Sequence, residues 1–200
     1  MRIALVLVAI LAALAIAAGL VLARGGKEEA DFRGSQPPAG LMLPTFELRD
    51  DQGQPVRSSN LRGKAVAVTF LDAECTDACP IIAAQMSQAM KALGDDRSNV
   101  EALAITVDPV GDTTVRIDEF LRRYRATGTL RYLDGRVAEL RPIWRAFGVV
   151  SSLDSGDSNL HSAPVRIYDG EGQWRSTLHP GVDLTPANLA NDLREALNAT

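Results

Sequence analysis

Hydrophobic residues in this chain occur as one long unbroken run at the N-terminus, as short runs of strand length, and at helical spacing, with polar turns between them. Thr45 to Leu48 and Val56 flank the polar turn Asp50 to Gly53, a pattern that predicts a short hairpin. From Ala65 to Leu71 the run is continuous and rich in β-branched residues, which predicts a central strand covered on both faces. Ile82, Met86, Ala89, Met90 and Leu93 then recur at helical spacing, with Asp77 as N-cap, Pro80 in the first turn and Gly94 as the stop. Val100 to Val107 reads as a second buried strand. After it, Asp112 or Thr113 is placed to cap a helix carrying Ile117, Phe120, Leu121 and Tyr124.

Leu130 to Leu133 predicts a short strand, and Val137 to Phe147 predicts two short helical pieces separated at Pro142. Ser151 to Asn159 is a loop of Ser, Asp and Gly, expected to be mobile. Ala163 to Asp169 and Gln173 to Leu178 form a second hairpin pattern around Asp169-Gly-Glu-Gly172, and Thr185-Pro186 opens a last helix with Leu189, Leu193 and Leu197 on one face. This order of elements predicts an α/β domain with a central mixed sheet and flanking helices, in which the turn after the central strand carries the chemistry.

The long run, Ile3 to Ala23, is uncharged and lies between Arg2 and Arg24. A helix of about 20 apolar residues spans a bilayer, so residues 1–24 are read as a transmembrane anchor, with a cleaved signal peptide as the alternative. The flanking charges do not orient it, but the bulk of the chain lies on one side, which predicts an extracytoplasmic domain. Residues 25–40, charged and then rich in Gly and Pro, read as a flexible linker, and residues 41–200 as the folded domain.

Composition changes this picture little. A net charge of −4 without a basic cluster argues against nucleic acid as a partner. Cysteine usage changes it more, because Cys75 and Cys79 are the only cysteines and His161 and His179 the only histidines. Outside the cytoplasm an idle nearby pair would close into a disulfide, so a working dithiol there needs a reductant or a metal. Two thiolates with one imidazole suit copper, whereas zinc normally takes four protein ligands or three and a water.

The same two sulfurs would also serve thiol-disulfide exchange, one attacking and the other resolving. Asp72, Glu74 and Asp77 favour a bound cation over a free thiolate. A purely structural bridge over so short a loop would restrain little chain entropy. Asp108 reads as a turn residue, Met86 and Met90 as core, and Trp144 and Trp174 as packing at or in the core.

Cys75-x-x-x-Cys79-Pro80 after a strand ending near Phe70, Asp108-Pro109 followed by Asp112-Thr113, and His161-Ser162 before the late hairpin together resemble the Sco (SenC) family of membrane-tethered copper proteins. The resemblance runs over most of residues 41–198. It implies a thioredoxin-like fold, with Cys75, Cys79 and His161 as ligands of a copper ion, Cu(I) or Cu(II). It further implies a chaperone, rather than an enzyme in the usual sense, that supplies the dinuclear copper site of cytochrome c oxidase from the outer side of the bacterial cytoplasmic membrane. The partners it implies are the copper-site subunit of the oxidase and a thioredoxin-like reductant. A thiol-disulfide oxidoreductase using Cys75 and Cys79 is the alternative. Many family members carry an aromatic residue and Thr before the first Cys and Pro after it, where this chain has Asp72, Ala73 and Thr76. Peroxiredoxins carry Thr three residues before the reactive Cys, where Asp72 stands.

Overall fold

Residues 30–150 and 163–199, as described in a computed structural model, form a seven-stranded mixed sheet of order β2-β1-β5-β4-β3-β6-β7 with helices on both faces. In chain order the elements are β1 (Glu47–Asp50), β2 (Pro55–Arg57), β3 (Ala65–Leu71), α1 (Ala78–Ala92), β4 (Val100–Thr106), α2 (Thr114–Arg123), β5 (Arg131–Asp134), α3 (Val137–Phe147), β6 (Val165–Tyr168), β7 (Trp174–Leu178) and α4 (Pro186–Asn198). No helix among these residues is long and apolar enough to cross a membrane. The anchor assigned to residues 1–24, the first part of the linker, residues 25–29, and the loop 151–159 lie outside the described residues.

All seven side chains of β3 are buried, which explains its continuous apolar run. It pairs in parallel with β4, Leu71 opposite Thr106, and antiparallel with β6, Val68 opposite Arg166. Its alternate residues feed two cores. Ala65, Ala67 and Leu71 meet Ile82, Met86 and Met90 of α1 and Leu189 and Leu193 of α4. Val66, Val68 and Phe70 meet Leu140, Trp144 and Phe147 of α3, with the Phe70 and Phe147 rings edge to face at 5.0 Å. Small residues on the first face let α1 and α4 approach closely, and each fully buried aliphatic side chain contributes about 1.5–3 kcal/mol.

Two helical details differ from the sequence expectation. Val137–Phe147 is one continuous helix despite Pro142. The Pro ring removes an amide that would have bonded the carbonyl of Ala138, but both residues are exposed, so water can take that carbonyl. The opposite face buries Leu140, Ile143, Trp144 and Phe147, and the Trp144 indole donates to the Thr106 carbonyl at 2.9 Å. Packing on that face outweighs the backbone defect. Asp77 occupies the N-cap position of α1, yet its side chain makes no capping hydrogen bond there.

The segment before β1 differs as well. Within the stretch read as linker, the amides of Arg33 and Gly34 bond to Asp192 on α4, and Ser35 forms a bridge with Thr177 on β7. Met42 makes a second bridge to Gln173. This strap covers the outer edge of β7, which would otherwise present unpaired backbone groups.

Candidate metal centre

The cysteine turn leaves the C-terminal end of β3, where Leu71 accepts the amide of Val107 at 2.9 Å. Three successive amides of the turn are then satisfied without regular structure. Ala73 N donates to Asp112 Oδ1 at 2.8 Å, Glu74 N to Asp72 Oδ1 at 2.7 Å, and Cys75 N to the Asp72 carbonyl at 3.2 Å. The chain then enters α1, which carries Cys79 in its first turn.

Cys75 and Cys79 are present as thiols joined by a hydrogen bond, and they are 5% and 0% exposed. That hydrogen bond, and then burial, push the Cys79 thiol far above its ordinary range. The Asp72 amide pulls the other way, while the Asp72 carboxylate adds to the rise. A bare thiolate at Cys79 is therefore disfavoured, and a bound cation would offset the cost of its charge. The two sulfurs lie side by side at the turn that carries Asp72 and Glu74.

Below the turn lies Asp112, 1% exposed. Besides the Ala73 amide, it accepts the hydroxyls of Thr106 and Tyr132, each at 2.6 Å on Oδ2. Burial raises its carboxyl to about 7 against the pull of these three donors. Burial also pushes the Tyr132 phenol up, with Asp112 next and Cys79 among the further causes. Of the two capping candidates, Thr113 takes the role, accepting Arg116 N at 3.4 Å. Asp112 is thereby released from capping. Asp108 behaves as the turn residue expected, accepting Val110 N at 3.3 Å.

Outside the cysteines the site opens into a shallow groove of about 240 Å³ lined by Glu74, Cys75, Thr76, Arg116, Phe120 and Tyr124 among others. Arg116 pairs with Glu74 at 2.8 Å across its rim. Gly111 passes close to the Asp108 and Glu74 carboxylates, where a Cβ would collide with Asp108 Oδ2 and lie 3.0 Å from Glu74 Oε2. Among the described residues the groove is lined by Cys75 and not by Cys79, so it gives an incoming donor group a route to Cys75.

His161 lies outside the described residues. The chain resumes at Ala163, whose carbonyl accepts the Thr69 hydroxyl at 3.5 Å, two residues before the end of β3. His179 follows β7, is half exposed, and is held in its own loop by Asp183, which accepts its amide at 2.5 Å. Among the described residues no three His, Cys, Asp or Glu side chains are placed to hold a metal together. Two thiols with room for a third donor make a soft set of low coordination number, which fits copper better than zinc. Sequence reasoning missed the Asp112 and Tyr132 pair. Two adjacent capping residues, of which only one can cap, were the available signal.

The family model described as SCO1/SenC matches residues 34–198. The mitochondrial protein SCO2 of Saccharomyces cerevisiae is 31% identical over 164 residues, covering 78% of this chain and 54% of that protein. Bradyrhizobium japonicum ScoI, solved with copper bound, is 28% identical, with a TM-score of 0.66 over 78% of this chain and 99% of that one. BsSco, a member of the Sco family of cytochrome c oxidase assembly proteins in which a disulfide switch has been identified, shares the fold at 20% identity and a TM-score of 0.68, covering 83% of this chain and 99% of that one.

Proposed function

The chain belongs to the SCO1/SenC family, and from that premise we propose that it is an extracytoplasmic copper chaperone that binds one copper ion through Cys75, Cys79 and His161. The observation that carries this reading is the pair of hydrogen-bonded, buried thiols in the turn after β3, the strand on which Thr69 donates to the carbonyl of Ala163, two residues after His161 in sequence. Copper bound to the similar Bradyrhizobium protein supports the choice of metal.

Copper is cargo in this account. Cys79 lies deeper and acts as the retaining donor, whereas Cys75 meets the groove, where a client's sulfur or nitrogen can displace it. Binding releases the thiol protons, so retention weakens in acid. The proposed acceptor is the copper-site subunit of cytochrome c oxidase, reached from the outer face of the bacterial cytoplasmic membrane, to which residues 1–24 hold the domain. A thioredoxin-like reductant would keep the dithiol open in that compartment.

A thiol-disulfide oxidoreductase is the second reading, favoured by the contact between the two sulfurs. The full chain in detergent, fully reduced, tests both when Cu(I) stoichiometry and dithiol exchange are measured on the wild type, Cys75→Ala and His161→Ala. The chaperone reading expects one copper, lost in Cys75→Ala and strongly weakened in His161→Ala, with exchange retained in the latter. Absence of copper binding by a folded, reduced wild type would sink it.

A further inference from the structure

We infer that Asp112 is a positioning residue for the copper site: its buried carboxylate ties the cysteine turn to β4 and β5 and so holds Cys75 beside Cys79 before a cation arrives. This deepens the chaperone reading and rests on it. The carboxylate joins three parts of the fold. Oδ1 takes the amide of Ala73, two residues before Cys75, at 2.8 Å. Oδ2 takes the hydroxyls of Thr106, the last residue of β4, and of Tyr132 on β5, both at 2.6 Å. The backbone on either side is itself held, with Asp112 N on the Asp108 carbonyl at 2.8 Å and Trp144 fastened to the Thr106 carbonyl at 2.9 Å.

A carboxylate at 1% exposure is costly to bury, and capping does not explain it, because Thr113 already caps α2. Its three partners explain it better. Within the turn from Asp72 to Cys75, Glu74 N and Cys75 N are both bonded back to Asp72, and the half-exposed Glu74 carboxylate pairs with Arg116 of α2. The Ala73 bond ties that local loop to the sheet, so it sets where the turn stands relative to α1 and hence where Cys75 stands relative to Cys79. Preorganising two donors raises their effective concentration for one metal or for each other.

Asp112→Ala, Asp112→Asn and Tyr132→Phe in the full chain test this. Three quantities are read: amide exchange at Ala73 to Cys75, the equilibrium constant of the dithiol with glutathione, and Cu(I) affinity by competition with a chromogenic chelator. In Asp112→Ala we expect exchange to rise about tenfold, and both disulfide formation and copper affinity to fall about tenfold, as two looser donors require. Asn keeps an oxygen for the Ala73 amide and an amide that the two hydroxyls can accept, so it should restore all three to within about threefold of wild type. A folded Asp112→Ala with wild-type values overturns the inference, as does an Asn variant as impaired as Ala.

If Asp112→Ala does not fold, Tyr132→Phe decides. Losing one anchor of the carboxylate should raise exchange and lower the glutathione constant about threefold, and no change in either overturns the inference. Should wild type bind no copper, the chaperone reading fails alone, while exchange and the glutathione constant still decide the role of Asp112.

Discussion

Asp192 on α4 accepts the amide of Arg33 at 2.7 Å through one oxygen and that of Gly34 at 3.1 Å through the other. Ser176 donates to the same side chain at 2.5 Å, so a fully buried carboxylate spends its acceptors on fastening the start of the domain to its last helix and strand. Replacing Asp192 by Ala leaves two amides and a hydroxyl without this acceptor and should cost about 3 kcal/mol of stability. Urea unfolding reads the cost directly. Tryptic cleavage after Arg33 should also accelerate under native conditions, and an unchanged cleavage rate would contradict the strap.

Gly34 is required by the same fastening. A Cβ there would meet Ser176 Oγ and lie 2.5 Å from the Thr177 carbonyl oxygen. Gly34→Ala should therefore displace the strap and lower stability by about 1–3 kcal/mol, measured as a drop in Tm, although alanine elsewhere usually stabilises a loop.

Asp112 predicts a pH dependence. Its carboxyl titrates near 3.8 when exposed and near 7 in the fold, so between these values the folded state holds the additional proton. Its contribution is fully present below about pH 4 and is lost as pH rises toward 7, an effect of up to about 4 kcal/mol. Asp112→Asn should flatten that part of the stability profile, as followed by urea unfolding at a series of pH values.

The two thiols should differ in reactivity. Cys79 is buried and its thiol is pushed far up, first by Cys75 and then by burial, while Cys75 meets the groove. Iodoacetamide at pH 8 should modify Cys75 at least about tenfold faster than Cys79 in the reduced protein, as mass spectrometry of peptides would show. Equal rates in the folded state would mean that the turn opens freely.

Pro142 sits on the exposed face of α3, opposite the face that buries Leu140, Ile143, Trp144 and Phe147. Pro142→Ala would restore the amide for the Ala138 carbonyl but would also loosen the unfolded chain. The net gain should be about 1 kcal/mol, read by urea unfolding. A loss of stability would show that the ring itself packs usefully.

Pattern alone determined much of this protein. The unbroken run of Ala65 to Leu71 marked the central strand, because only a strand covered on both faces needs every residue apolar. Helical spacing marked α1 and α4, and the spacing of Cys75 and Cys79 singled out the turn after the central strand as the candidate site. These are local signals, carried by residues within a few positions of one another. Tertiary structure decided what distant residues do together. Asp112 reads as a cap until Tyr132 and Ala73 arrive at its oxygens, and residues 33–35 read as linker until Asp192 and Thr177 meet them. Pro142 reads as a break until the buried face of α3 outweighs one missing hydrogen bond. In each case the local chain permits several states, and a partner remote in sequence selects one, because a buried carboxylate or a packed face is stable only when its partners are in place.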